Sequence, residues 1–129
     1  MTELDDETLA FAHRMFDLAR TGVTEELIGN VTMGLSPNLT NDKGDTLLIL
    51  ASYHNHVGTV AALLEHGADA NRVNDRGQSA LSAAVFRQNS EMVKILLAAG
   101  ADPDGGTPSA VATAKFFKLP EMDALLHRK

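Results

Sequence analysis

Short apolar runs alternate with short polar breaks along most of this chain. The stretch LLEHGADANRVNDRGQSAL, residues 63–81, ends one apolar run, crosses a polar segment with two glycines and resumes the pattern at once. Almost the same phrase, LLAAGADPD, returns at residues 96–104. Apolar residues that recur at helical spacing predict helices, and a glycine directly after such a run predicts a helix end. The pattern therefore predicts pairs of short helices joined by turn-rich loops.

The pattern is an internal repeat, because residues 42–74 align with residues 75–107 without a gap. Aspartate, glycine and apolar positions all recur 33 residues later. The matched positions are Asp42 and Asp75, Gly44 and Gly77, Leu48 and Leu81, Ala51 and Ala84, Val60 and Val93, Leu63 and Leu96, and Gly67-Ala68-Asp69 and Gly100-Ala101-Asp102. A fainter copy covers about residues 9–41, and a last copy aligns only when three residues are removed.

The repeat predicts a single domain over residues 1–129, since one helix pair buries its apolar face only against neighbouring pairs. We expect an N-terminal capping unit at 1–41, repeats at 42–74 and 75–104, and a truncated C-terminal capping unit at 105–129. Such an array meets the minimum of about three units, so we expect the chain to be complete as it stands. Charged ends suit capping units: the acidic start and the HRK ending both carry such residues, namely Glu3, Asp5, Asp6 and Glu7, and His127, Arg128 and Lys129.

Capping residues place the helices within a unit. In the second full unit, Ser79 is expected to cap a helix that runs through about Arg87. Ser90 is expected to cap a second helix from Glu91 to Ala99, and Gly100 to end it.

The segment at residues 68–78 is expected to be a loop that projects sideways between two units. Its Asp69 and Asn71 are typical turn residues, and we expect both side chains to bond the loop backbone. This interpretation gives them a structural role and not a catalytic one.

The phrases NDKGDTLLILASYHNH and VGTVAALLEHGADANRVN resemble the ankyrin repeat. The opening of that repeat is carried by Gly44-x-Thr46 and Leu48-x-x-Ala51, and its ending by Val60-x-x-Leu63-Leu64-x-x-Gly67-Ala68-Asp69-x-Asn71. The resemblance covers nearly the whole chain. It implies an all-α fold, a solenoid of about four helix-turn-helix units joined by hairpin-like loops, and it leaves the function almost open.

The chain departs from the family pattern at two kinds of position. Leu47 and Ile49 replace the Pro and His of the Thr-Pro-Leu-His phrase. Asn55 and Gln88 stand where the family has glycine before the second helix, a position that often needs a left-handed backbone. We therefore expect some lost stability, above all at Gln88.

Composition excludes several classes of function. The net charge of -6 argues against a nucleic-acid surface and against attraction to anionic lipid. The absence of cysteine excludes disulfides and thiolate chemistry. No signal peptide and no apolar run long enough to span a membrane is evident. These features suit a small, stand-alone bacterial protein of the cytoplasm.

The sequence offers few candidate residues for catalysis, phosphate binding or metal binding. No nucleophile motif and no glycine-rich phosphate loop is present. His54 and His56 form the only close histidine pair, and two ligands alone do not make a metal site. We expect His56 to be a structural hydrogen-bonding residue and His66 to lie at a helix C-terminus. No catalytic, cofactor-binding or metal-binding residue is predicted.

Positions that do not follow the repeat indicate a contact surface. The resemblance implies that the end of each first helix faces a concave groove. Those positions read Arg20-Thr21, Tyr53-His54, Phe86-Arg87 and Phe116-Phe117. Tyr53, Phe86 and Phe116 are expected to stack in register on this surface. Phe117 is expected to fill the shortened last unit instead. With two loop-tip residues added, the predicted partner-binding residues are Arg20, Tyr53, His54, Arg76, Gln78, Phe86, Arg87 and Phe116.

The sequence thus favours a monomeric, non-catalytic module that binds one unidentified protein partner through its concave face and loop tips. It predicts no cofactor, no nucleic acid and no membrane. Two alternatives stay open. One is a small metal-dependent enzyme or sensor that uses His54 and His56, and the other is a structural or inhibitory subunit of a partner enzyme.

Overall fold

Eight short α-helices arranged in consecutive pairs make up the fold. The computed structural model describes residues 6–127 and contains no strand within that range. The helices are α1 (Asp6–Thr21), α2 (Thr24–Thr32), α3 (Leu47–Tyr53), α4 (Val57–Glu65), α5 (Ala80–Phe86), α6 (Ser90–Ala98), α7 (Ala110–Phe116) and α8 (Pro120–Leu126). The predicted all-α fold of stacked helix-turn-helix units is confirmed.

The pairs stack in two layers. The first helices, α1, α3, α5 and α7, pack side by side in one row, and α2, α4, α6 and α8 form the second row. Most of these helices are two turns long, and isolated helices shorter than about 12 residues are marginal in water. Their stability therefore comes from burial against the neighbouring pairs.

The repeated apolar positions form the core. Leu48 and Leu81, which are equivalent residues of two first helices, are buried. Equivalent apolar residues of the second helices are buried as well. Ala51, Ala84 and Ala114 are also buried, and their small side chains let adjacent first helices approach closely. The buried repeat partners of the second helices are Val60 and Val93, and Leu63 and Leu96.

The helix starts follow the predicted caps with one correction. The Ser79 hydroxyl accepts the Ser82 backbone N–H, and Ser82 returns a bond to the Ser79 N–H, both at 3.0 Å. The cap of α6 is Asn89 and not Ser90, since its side-chain oxygen accepts from the Met92 N–H at 3.0 Å. Asparagine caps as well as serine, so the helix starts one residue earlier. Gly100 follows the end of α6, with φ +93°.

The loops between pairs are tied to one another. The Asp75 N–H donates to the Lys43 carbonyl at 3.0 Å, and the Thr107 N–H to the Gly77 carbonyl at 2.8 Å. Gly77 has φ +80°, and a Cβ on it would lie 2.9 Å from the Thr107 carbonyl oxygen. Glycine is therefore required there both by conformation and by space.

A second set of hydrogen bonds between units lies at the opposite end of the loops. We call the two sets together the loop ladder. The Asn38 side-chain oxygen accepts from the Asp69 N–H, and that of Asn71 from the Asp102 N–H, each at 2.7 Å. The Asp69 carboxylate also accepts from the Asn71 N–H at 2.9 Å. The predicted structural role of Asp69 and Asn71 is confirmed.

The departures from the family pattern have a clear backbone consequence. Asn55, Gln88 and Lys118 have φ values of 72°, 56° and 55°. Asparagine tolerates this left-handed region better than glutamine or lysine does. The three residues occupy the same place in three successive units, directly before the second helix.

The ends of the chain are described in part. Asp6 and Glu7 occupy the first turn of α1, where carboxylates favour the positive end of the helix dipole. The remaining acidic residues of the start, Glu3 and Asp5, and the final Arg128 and Lys129 lie outside the described residues. From residue 6 to residue 127, no helix has the length and apolar character that crossing a membrane requires.

Candidate functional site

A row of aromatic rings lies on the exposed face of the first helices. The rings of Tyr53 and Phe86 stack with centroids 6.3 Å apart and planes 8° apart. Phe86 meets Phe117 edge to face, at 5.5 Å and 67°. Exposed fractions of these residues are 47% for Tyr53, 45% for Phe86 and 49% for Phe117. We call Tyr53, Phe86 and Phe117 the aromatic row.

The sequence predicts that Phe116 belongs to this row, but in the structure it does not. It is 79% exposed, and its ring contacts that of Phe117 at 4.9 Å. Phe116 is the last residue of α7, whereas Phe117 forms the C-cap and points its ring at Phe86. Phe117 therefore lines the exposed face and does not fill the last unit as expected.

An apolar hollow opens beside the aromatic row. Its volume is about 260 Å³, and its walls come from α3, α5, α7 and the residue after it, and the loops before α5 and α7. All three rings of the row contribute to it. The other lining residues are Ile49, Gln78, Ser82, Ala83, Pro108 and Thr113.

A polar hollow of about 550 Å³ adjoins the apolar hollow and shares Ile49, Tyr53 and Gln78 with it. Its charged lining is mixed, and several of its polar groups are already engaged in hydrogen bonds. The Asp45 carboxylate accepts from Asn74 at 2.8 Å, and the Gln78 side-chain oxygen accepts from Asn74 at 2.9 Å. The remaining lining residues are Arg20, Asn41, Asp42, Lys43, Leu50, His54, Asp75 and Arg76.

His54 lines the polar hollow, and its ring packs edge to face against that of Tyr53, with ring centroids 5.5 Å apart. Partial burial lowers the pKa of His54, and the nearby His56, Arg20 and Arg87 lower it further. Both effects disfavour a positive charge on the imidazole. The pKa of His54 is therefore held below its ordinary value, and the guanidinium groups of Arg20 and Arg87 contribute to this shift.

His56 has the predicted structural role. Its Nε2 lies 2.7 Å from the Arg20 carbonyl oxygen, and because a carbonyl only accepts, Nε2 carries the proton. The ring packs so closely on Gly22 that a Cβ there would lie 2.6 Å from Nδ1. His56 thus ties the second helix pair to the end of α1.

The same bond bears on metal binding. The Nε2 of His56 is committed to a backbone carbonyl, and the described part of the chain holds no group of three or more His, Asp or Glu side chains that could bind a metal ion. His66, the other histidine singled out, follows the end of α4 and bonds the Ala62 carbonyl at 2.9 Å, as a C-terminal capping residue does.

The structure brings six of the eight predicted contact residues to the two hollows. Arg87 and Phe116 line neither hollow, although Arg87 is close enough to act on the charge of His54. Sequence reasoning missed Phe117 and Pro108, both from the shortened last unit. The six residues at the hollows are Arg20, Tyr53, His54, Arg76, Gln78 and Phe86.

Comparisons with known proteins agree with this architecture. Residues 15–106 match the family model described as ankyrin repeats in three copies. Over 58 residues the chain is 57% identical to a Pseudomonas aeruginosa protein named as an ankyrin repeat protein, and the matched part covers 45% of this chain and 34% of that protein. The match thus spans about a third of the relative's length. Since the family model covers well over half of the chain, the chain belongs to the ankyrin-repeat family.

Proposed function

We propose that this chain is a non-catalytic module that binds a protein partner through the concave face of its first helices and the adjoining loop tips. Ankyrin repeats are in general protein–protein interaction modules. The proposal adds the surface used here, which combines the aromatic row with the polar hollow.

The observation that carries the proposal is the aromatic row. Each of its rings is about half exposed, and the three form a contiguous apolar strip across three helix pairs. Single exposed apolar residues are common on proteins, but a contiguous strip indicates a contact site. Aromatic and arginine side chains also dominate the binding energy of known interfaces.

The proposed surface continues from the aromatic row to charged residues. Arg20 and Arg76 line the polar hollow from the helix side and from the loop tip. Arg87 directly follows Phe86 in the chain. A partner that covers the row would therefore also contact guanidinium groups, which form directed hydrogen bonds with carboxylates.

We also propose that the first and last helix pairs act as caps, in line with the units expected at 1–41 and 105–129. The exposed ion pair between Arg14 and Glu26 supports this for the first pair, because it joins α1 to α2 with two bonds, one of them 2.8 Å long. Such polar outer faces are what the end units of a repeat array need.

The test is affinity capture from a lysate of the native host with the wild-type chain and the variant Tyr53→Ala/Phe86→Ala. We expect partners identified by mass spectrometry to be lost with the double variant. Phe11→Ala is the matched control, because Phe11 is 45% exposed, as Phe86 is, and lines neither hollow. An unchanged set of partners in the double variant would refute the proposed surface.

A captured partner also separates two versions of the function. If the partner is an enzyme, its activity should be measured with and without this chain. Inhibition would favour the inhibitory-subunit alternative, whereas unchanged activity would favour an adaptor.

A further inference from the structure

We infer that the partner segment held on this face is an acidic peptide with apolar side chains, which enter the apolar hollow while its carboxylates meet Arg20, His54 and Arg87. The inference rests on the proposed function and adds the chemistry of the ligand. It follows from the distribution of charge around the aromatic row.

Basic residues directly follow the three aromatic residues of the row in the chain. His54 and Arg87 directly follow Tyr53 and Phe86 in the chain, and Lys118 directly follows Phe117. Each aromatic ring of the row thus has a basic residue next to it in the chain. These basic residues are opposite in sign to the overall charge of the chain, which is -6.

The pKa of His54 responds to the charged groups around it. Partial burial lowers its pKa most, and electrostatic interactions with His56 before α4, Arg20 of α1 and Arg87 after α5 lower it further. Next to these basic residues, the Asp17 carboxylate is bonded to Arg20 at 2.8 Å, whereas the carboxylates that line the polar hollow belong to its loops. The guanidinium groups of Arg20 and Arg87 thus lie close enough to His54 to act on its charge, and both would attract a carboxylate that binds there.

The existing partner of Arg20 does not exclude an added carboxylate. In the ion pair, the Arg20 side chain is 38% exposed and that of Asp17 is 69% exposed. Exposed pairs of this kind are weak, and a guanidinium has five N–H donors. A peptide carboxylate can thus share Arg20 with Asp17.

The opposite edge of the polar hollow argues for a short acidic peptide and against a nucleic acid. There the loops present Asp42, Asp45 and Asp75, together with Lys43 and Arg76. A polynucleotide would place phosphates along both edges and meet these carboxylates. A peptide can direct its acidic side chains to one edge only.

The apolar hollow fits the apolar side chains of the proposed peptide. Its volume of about 260 Å³ and its three aromatic walls suit apolar side chains rather than a flat surface contact. Because this hollow adjoins the polar hollow at Tyr53, an extended peptide can fill the first while its next residues reach the basic residues.

The test selects binders from a displayed library of random peptides on the full chain. We expect the enriched peptides to combine leucine or phenylalanine with glutamate or aspartate. For synthetic versions of these peptides, Arg20→Gln and Arg87→Gln should each weaken binding by about threefold, as expected for exposed charge pairs. Lys94→Gln is the matched control, since Lys94 is an exposed cation on α6, in the other helix layer.

A spectroscopic readout is independent of affinity. In a titration of the histidine ring protons by NMR, a bound acidic peptide should raise the pKa of His54, because a carboxylate stabilises the imidazolium. The ring-proton chemical shifts of His66, which follows the end of α4, should not change on binding. An unchanged pKa of His54 in the complex would contradict the inference.

The selection separates failure of the inference from failure of the proposed function. Uncharged or lysine-rich peptides whose binding is lost with Tyr53→Ala/Phe86→Ala would overturn the acidic ligand and keep the proposed surface. Peptides that bind this double variant as well as the wild type, or no enrichment at all, would count against both. Binding of a fluorescent oligothymidylate that Arg87→Gln abolishes would overturn the choice of a peptide.

Discussion

In the loop ladder, one contact recurs from unit to unit: Asn38 accepts from Asp69, and Asn71 from Asp102, both at 2.7 Å. On the exposed face of the first helices, the equivalent positions vary between arginine, tyrosine and phenylalanine. They are Arg20, Tyr53, Phe86 and Phe116. The comparison indicates that recurring positions maintain the stack, while positions free to vary are available for binding.

The two regions therefore respond differently to mutation. A change in the loop ladder affects a bond between units, and the apolar faces that depend on it lose part of their support. A change on the exposed face removes a half-exposed ring or a solvated charge, which costs little stability. The predictions below run from the largest expected effect to the smallest.

The largest loss is expected for Gly77→Ala. The substitution places a Cβ 2.9 Å from the Thr107 carbonyl oxygen at a residue with φ +80°, so conformational strain and a collision add. We expect the free energy of unfolding to fall by about 2–4 kcal/mol in urea denaturation. Gly58→Ala in α4 is the control, because no atom lies near its Cβ, and it should stabilise by about 0.5 kcal/mol.

A smaller loss is expected for Asn71→Ala. The Asn71 side chain donates to the Gly100 carbonyl at 3.0 Å and accepts from Asp102 at 2.7 Å, both in the next unit. Removing both bonds should lower the free energy of unfolding by about 1–2 kcal/mol. Asn38→Ala, which removes one bond between units, should cost less. Equal stability of wild type and Asn71→Ala would show that the ladder does not hold the units together.

Ser52 offers a substitution that should stabilise the stack of helices, whereas the two preceding substitutions should weaken it. Ser52 is fully buried in α3 and its hydroxyl has no hydrogen-bond partner, whereas the equivalent residue in the next unit is Val85. Ser52→Ala should raise the free energy of unfolding by up to about 1 kcal/mol, because an unsatisfied buried hydroxyl is lost. Ser82→Ala should have the opposite sign, because Ser82 completes the cap of α5.

The smallest effect concerns pH. The pKa of His54 is lowered in the folded chain, first by burial and then by its cationic neighbours, so the unfolded chain binds the proton more readily. Stability from this site is complete above the ordinary histidine pKa of about 6.5 and is lost as the pH falls through the lower folded pKa. Unfolding between pH 7.5 and about 5 should show a shallower decline in His54→Gln. An identical decline would remove His54 as a contributor.

The fold could be predicted from sequence because its determinants are local and recur. Gly100 and Ser79 mark helix ends within a few residues, and the left-handed backbone at Asn55 and Gln88 was expected from the glycine that each replaces. The shift from Ser90 to Asn89 at the start of α6 arose because both residues are good caps. Only the geometry decides between two such neighbours.

The site was less predictable because its contacts join different units. The repeat aligns Phe116 with Phe86, but the last unit is three residues shorter, and Phe117 makes the contact instead. Pro108 reaches the apolar hollow from the same shortened segment. No pattern within one unit encodes these distances. Arg20 and His54 were found because they interrupt a repeat that is otherwise regular.

The most direct test of the central claim measures the affinity of a captured partner for Tyr53→Ala/Phe86→Ala. Because both rings are half exposed, the free energy of unfolding should stay within about 1 kcal/mol of wild type. Affinity should fall by at least about tenfold, as expected for aromatic residues at the centre of an interface. Unchanged affinity in a folded double variant would contradict the account.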